Sequence, residues 1–100
     1  MNLLRAVTSI YEIVHLHYPS FVSVYIFGSS LINFSKANDI DVLVVGKDVN
    51  GTLLRREFKT LDLFIPVHLV VLSHDEENEL QFIKGVGALP LQFIIEYLCD

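Results

Sequence analysis

Apolar residues recur along the chain with two different periods, and these periods divide it into predicted helices and strands. Short runs rich in β-branched residues, alternating with other side chains at 22–27 and almost entirely apolar at 40–45, predict strands at residues 22–27, 40–45 and 67–72. Spacings of three and four, or an apolar run behind a helix-start signal, predict helices at residues 2–17, 31–34, 52–61, 74–84 and 90–98. The order of elements is therefore helix, strand, helix, strand, helix, strand and two further helices.

Several polar and turn-forming residues mark the ends of these elements. Ser73 is a favourable N-cap, and Glu76 three residues later completes a capping-box pattern. The pair Asn50-Gly51 predicts a turn before the helix at 52–61. Pro90 fits the first turn of the last helix, because its missing N–H is not needed there.

This order predicts one domain, residues 1–100, of the α/β (α+β) class, with a small mixed β-sheet and helices packed against it. The strand at 40–45 is almost entirely apolar after its second residue. A strand of that kind is covered on both faces, so we expect it to be central.

Composition narrows the picture further. Hydrophobic residues make up 52% of the chain, which is high for so small a domain and predicts an apolar surface used by a partner or a second copy. No apolar run is long enough for a membrane span, and no secretory signal is evident. The single cysteine, Cys99, cannot form an internal disulfide, so we expect a cytoplasmic protein.

The charge of the chain argues against a large nucleic-acid surface. The formal net charge is −5, whereas proteins that grip a phosphate backbone have a basic face. Arg55, Arg56 and Lys59 form a small basic cluster on one predicted helix. A solvated helix face explains that cluster better than a nucleic-acid site, although a nucleic-acid acceptor stays open.

The segment from residue 24 to residue 45 carries the chemistry. Gly28 ends a hydrophobic strand, and its lack of a Cβ allows a sharp turn and the close approach of a phosphate. Ser29 and Ser30 add hydroxyl donors at the start of a short helix, whose free N–H groups favour anions. Asp39 and Asp41 lie two apart on a strand, so both carboxylates leave the same face and can converge on a cation.

This segment resembles the nucleotidyltransferase superfamily of the DNA polymerase β type. The family pattern is a hydrophobic residue, Gly, then Gly or Ser, a short spacer, and Asp-hydrophobic-Asp/Glu-hydrophobic. Residues 27–29 (Phe-Gly-Ser) and 39–42 (Asp-Ile-Asp-Val) match it. The resemblance extends from the first helix to about Leu72 and implies the nucleotidyltransferase fold, with Asp39 and Asp41 as catalytic, metal-binding residues.

One position departs from the family pattern. The resemblance implies a third carboxylate on a later strand, and His68 occupies the aligned place. An imidazole can accept a proton or bind Mn²⁺, but it is a poorer ligand for Mg²⁺ than a carboxylate. Three roles for His68 therefore stay open: catalytic base, metal ligand, or a side chain that only fills the gap.

The resemblance also implies a function. Gly28, Ser29, Ser30 and the loop residue Lys36 would bind a nucleoside triphosphate, most simply ATP, with Mg²⁺ or Mn²⁺. For Lys36, a solvated loop residue is the better explanation. The implied reaction transfers a nucleoside monophosphate to a hydroxyl, and minimal members of this family often pair with a small helical protein, as in toxin–antitoxin systems. The alternatives are a non-catalytic binding module of the same fold and a structural domain with no nucleotide role.

Overall fold

The computed structural model describes residues 3–28, 39–61 and 66–99. The helices in these ranges are α1 (Leu3–His17), α2 (Gly51–Thr60), α3 (His74–Leu80), α4 (Phe82–Val86) and α5 (Leu91–Cys99). The strands are β1 (Val22–Phe27), β2 (Ile40–Gly46), β3 (Val67–Leu72) and β4 (Leu89–Pro90). The helix predicted at 31–34 lies outside the described residues.

The strands form one four-stranded mixed sheet in the order β3-β2-β1-β4. β1 is antiparallel to both β2 and β4, whereas β2 and β3 are parallel. The predicted fold class is confirmed: the five helices of the described part pack against a small mixed sheet. β2 is one of the two interior strands of the sheet, as its apolar sequence predicts.

The main core lies between one face of the sheet and helices α1, α2 and α5. The alternation of β2 places Ile40, Val42 and Val44 on this face, where all three are fully buried. Ile10 of α1 and Leu54 of α2 are equally inaccessible. Burial of this continuous apolar surface supplies most of the driving force for folding.

A smaller cluster lies on the opposite face of the sheet. Leu43 and Val45 of β2 and Leu72 of β3 are buried there. Phe82 and Ile83 at the start of α4 pack against them. The helical cover on this second face is therefore short.

The prediction of one continuous helix at 74–84 is wrong, because the structure divides this segment into α3 and α4 at Gln81. Gln81 has φ 52° and ψ 42°, a left-handed conformation that ends α3. The Glu77 carboxylate accepts hydrogen bonds from the N–H groups of Phe82 (3.1 Å) and Ile83 (3.3 Å). This side chain gives α4 the N-terminal acceptor that an isolated helix start lacks.

Two other boundaries differ from the sequence prediction. Pro90 is the last residue of β4 rather than the first turn of a helix, and α5 begins at Leu91. Asn50 is the N-cap of α2, since its Oδ1 accepts from the Leu53 N–H at 3.0 Å. The Ser73–Glu76 capping box is confirmed, with both reciprocal hydrogen bonds formed.

Among the described residues, no helix combines the length and the apolar character needed to cross a membrane.

Candidate functional site

Two carboxylates project from the start of the central strand. Asp39 immediately precedes β2 and Asp41 is its second residue. Because side chains alternate along a strand, both leave one face while Ile40 between them is buried on the other. The Asp39 and Asp41 side chains keep 27% and 20% of their surface exposed, so they are recessed but accessible from solvent.

The register of the parallel pair brings His68 to the same place. His68 on β3 lies opposite Asp41 on β2. Its Nδ1 is 3.2 Å from Asp39 Oδ2 and 3.5 Å from Asp41 Oδ1. The position that the family resemblance implied for a third ligand is therefore occupied by an imidazole in direct contact with both carboxylates.

Gly28 completes the site from the other side. Phe27 lies opposite Asp41 in the antiparallel pair, and Gly28 follows with φ 81°. A Cβ at Gly28 would collide with the Asp41 carboxylate at Oδ2. Glycine is thus required here for two reasons, because an L-residue is strained at this φ and because the carboxylate occupies the space of a side chain.

The surroundings raise the pKa of Asp41. Partial burial is the main cause, because it disfavours the charged form, and the neighbouring negative charge of Asp39 raises the pKa further. The Coulomb interaction and hydrogen bond with His68 oppose this effect and lower the pKa. In the absence of a cation, the two carboxylates therefore repel each other, and His68 relieves part of that repulsion.

The three groups have the chemistry of a metal site. Each offers one ligand atom, and these atoms all lie within 4.8 Å of one another. Two carboxylate oxygens and one imidazole nitrogen fit a divalent cation. Positive charge between Asp39 and Asp41 would also remove the repulsion that raises the pKa of Asp41.

A residue of α2 fixes the strand that carries His68. The Arg55 guanidinium donates to the backbone carbonyl of Leu69 at 3.1 Å. The sequence placed Arg55 in a basic surface cluster, and no sequence signal indicated this contact with β3. Arg55 therefore contacts the backbone of β3 at the residue that follows His68.

The remaining predicted site residues are not tested by this arrangement. Ser29, Ser30 and Lys36 lie outside the described residues. A cleft of about 270 Å³ lies at another part of the molecule, between α1, β1, Pro90 and Gln92, and it is lined by Tyr11 and His15 among others. None of the residues that line it belongs to the Asp39, Asp41 and His68 cluster.

The fold is similar to that of a known structure. A 1.40 Å crystal structure of a Sulfolobus solfataricus protein, provisionally classed as a nucleotidyltransferase, matches this chain with a TM-score of 0.55. The two sequences are 26% identical, and the match covers 88% of this chain and 78% of that chain. No protein-family model and no curated protein sequence matches the chain.

These findings define the class of protein. The resemblance to nucleotidyltransferases that the Gly-Ser and Asp-x-Asp motif indicated is confirmed by the structural similarity. The chain has a nucleotidyltransferase-like fold, and residues Asp39, Asp41 and His68 form a group able to hold a metal ion.

Proposed function

We propose that this chain binds a nucleoside triphosphate, most simply ATP, with a divalent cation and transfers a nucleoside monophosphate to a hydroxyl acceptor. The observation that carries the proposal is the convergence of Asp39, Asp41 and His68, whose ligand atoms lie within 4.8 Å of one another. The similar Sulfolobus solfataricus structure supports the same class of reaction.

The proposed roles follow from the chemistry of each side chain. Asp39 and Asp41 hold the cation, which on the family resemblance is Mg²⁺, with Mn²⁺ as the alternative. The bound cation would neutralise negative charge on the phosphates. His68 would accept the proton of the attacking hydroxyl or bind the cation itself. Positioning and charge neutralisation then provide the acceleration, since phosphoryl transfer needs little covalent help from the protein.

The phosphates would bind at the corner after β1. Gly28 leaves room there for the Asp41 carboxylate, and its lack of a Cβ would let a phosphate approach the backbone closely. Ser29 and Ser30 would donate their hydroxyls, and Lys36 would supply a positive charge. These residue assignments rest on the family motif in the sequence.

We further propose that the protein works in the cytoplasm with a partner, either a second copy or a small helical protein of a two-component, toxin–antitoxin type of system. Large apolar side chains support a partner, because Leu16, Phe21 and Tyr97 are 78%, 88% and 69% exposed. A partner surface would cover exposed apolar side chains of this size.

A second candidate is a binding module that keeps the fold and the nucleotide but performs no transfer. The observation that favours it is His68 itself, because the third position holds an imidazole where the family pattern has a carboxylate. The two candidates differ in one result. Both require binding of nucleotide and cation, but only the first requires turnover.

The test measures binding and turnover separately. Calorimetric titration of the chain with ATP in the presence of Mg²⁺ or Mn²⁺ should show binding, which the double variant Asp39→Asn/Asp41→Asn should lose. Asp48→Asn is the matched control, because Asp48 is exposed and lies beyond Gly46, the far end of β2, which is itself roughly 17 Å along the strand from Asp41. Equal affinity of the wild type and the double variant would contradict the site assignment.

Turnover is then followed with α-phosphate-labelled ATP and candidate acceptors, including the chain itself. Incorporation of label that depends on Asp39 and Asp41 supports transfer. Binding with no incorporation and no release of pyrophosphate supports the non-catalytic module.

A further inference from the structure

We propose that His68 is a direct ligand of the bound cation and makes the site selective for a divalent transition-metal ion, with Mn²⁺ as the test ion, over Mg²⁺. The inference rests on the proposed cation site and names the ion that the site takes. It also assigns one of the open roles of His68, because a ligand nitrogen cannot at the same time serve as the catalytic base.

The first observation is the spacing of the donor atoms. Nδ1 of His68 lies 3.2 Å from Asp39 Oδ2 and 3.5 Å from Asp41 Oδ1. Adjacent ligands of an octahedral ion held at about 2.1 Å lie roughly 3 Å apart. The nitrogen and the two oxygens are therefore already close to the separations that one shared ion needs.

The second observation is that the fold fixes the backbone of His68. The residue is paired with Asp41 in the parallel ladder. The next residue of β3, Leu69, has its carbonyl bound by Arg55 of α2. The imidazole is 64% exposed, yet its Nδ1 is directed at both carboxylates rather than at solvent.

The third step is the chemistry of the donor set. Mg²⁺ prefers oxygen ligands and retains much of its water shell, so an imidazole nitrogen contributes little to its affinity. Mn²⁺ is the weakest binder of the first-row transition ions, whose affinity rises from Mn²⁺ towards Cu²⁺, but it accepts an imidazole nitrogen more readily than Mg²⁺ does. A site with two carboxylates and one imidazole therefore selects less for Mg²⁺ than a site with three carboxylates.

The rival interpretation is that His68 only balances charge. An imidazole beside Asp39 and Asp41 lessens their repulsion without binding an ion. In that case a metal ion would displace the side chain, and His68 would have no effect on which ion binds. Metal selectivity separates the two interpretations, whereas activity alone would not.

The experiment titrates the full chain with MnCl₂ and MgCl₂ separately, without nucleotide. Wild-type protein should bind Mn²⁺ at least about tenfold more tightly than Mg²⁺, a difference of about 1.4 kcal/mol. His68→Asp should reduce this preference by about tenfold, chiefly by improving Mg²⁺ affinity. His74→Asn, at an exposed histidine on α3, is the control and should leave both affinities unchanged.

A spectroscopic measurement on the wild type makes the test independent of any variant. Electron spin echo of the Mn²⁺-loaded chain should show coupling to a directly bound ¹⁴N nucleus. His68→Asp should abolish that coupling, and His74→Asn should retain it. Absence of nitrogen coupling in the wild type would overturn the inference even if the variant failed to fold.

The outcomes also distinguish this inference from the proposed function. Equal affinities for Mn²⁺ and Mg²⁺, or an unchanged ratio in His68→Asp, overturn the inference and leave nucleotide transfer intact. A selective, nitrogen-coordinated Mn²⁺ with no nucleotide binding supports the inference and overturns the proposed function. No binding of either ion overturns the inference, whereas the proposed function is decided by the separate titration with ATP and the cation together.

Discussion

The two faces of strand β2 differ in how fully they are buried, although their residues alternate along the same short segment. Ile40, Val42 and Val44 face α1, α2 and α5 and are fully buried. On the other face, Leu43 and Val45 are covered by the smaller cluster that includes the start of α4, but Asp41 lies partly open. One face is closed along its whole length, whereas the other is closed at one end only.

The difference separates stability from chemistry. Apolar burial is concentrated on the closed face, where loss of a side chain leaves a cavity. The open end of the other face holds Asp39 and Asp41 side by side, an arrangement that opposes folding until a positive charge lies between them. The stability gained on the closed face thus offsets the unfavourable proximity of Asp39 and Asp41 on the open face.

The largest expected effect comes from breaking the closed face. Ile40→Ala should lower the free energy of unfolding by roughly 2–5 kcal/mol, because it removes a buried side chain and leaves a cavity. Urea denaturation measures this change. The adjacent Asp41→Asn is the paired variant, and an equal destabilisation of both variants would contradict the division of roles between the two faces.

The next effect is at the corner that adjoins the site. Gly28→Ala should cost roughly 1–3 kcal/mol for a left-handed alanine and should also displace the Asp41 carboxylate, so that cation affinity is lost. Gly87→Ala is the matched control, because Gly87 has φ 67° but a Cβ there would meet nothing within 4 Å. Calorimetric cation titration should distinguish the two. Retained binding in Gly28→Ala would contradict the proposed contact.

A smaller effect concerns the short helical cover of the open face. Glu77→Ala removes the carboxylate that accepts from the Phe82 and Ile83 N–H groups, so it should destabilise the chain by about 1 kcal/mol. Glu79→Ala on the same helix is exposed and should have almost no effect. Hydrogen exchange of the α4 amides would locate the change. Equal exchange rates in both variants would argue against the cap.

The smallest effect is the pH dependence of the open face. The pKa of Asp41 is raised above its usual 3.8 in the folded chain. Protonated Asp41 therefore contributes to the stability of the folded chain, and this contribution is complete below pH 3.8 and is lost as the pH rises through the pKa of Asp41 in the folded chain. Asp41→Asn cannot lose this contribution, so in chelator-treated protein its stability relative to the wild type should increase across that window.

Urea denaturation at a series of pH values measures this difference. Asp48→Asn serves again as the control, because its carboxylate is exposed. A wild type that gains stability relative to Asp41→Asn as the pH rises would show that the environment of Asp41 favours its charged form.

The sequence allowed much of this arrangement to be predicted, through patterns that act over a few residues. Alternation placed Asp39 and Asp41 on one face and Ile40 and Val42 on the other, as the structure confirms. The capping box at Ser73 was equally local and is also confirmed. The catalytic and nucleotide-binding roles of the site residues stay predictions.

Other features depend on contacts between distant segments, and local patterns did not indicate them. The break between α3 and α4 requires the Glu77 side chain to turn back to the next helix start. The two-residue β4 is too short to give a periodic signal, and it exists because β1 provides its partner. Arg55 reaches the backbone of β3 only because α2 packs beside that strand.

The sequence by itself determined which side chains each strand directs to each face, because that property follows from the geometry of a single extended chain. The proximity of His68 was expected from a family resemblance and not from any local pattern. Only the tertiary structure decided it, since the register of β2 against β3 sets Asp41 opposite His68. Register depends on the packing of whole strands and helices, so the ligand set of this site exists only in the folded protein.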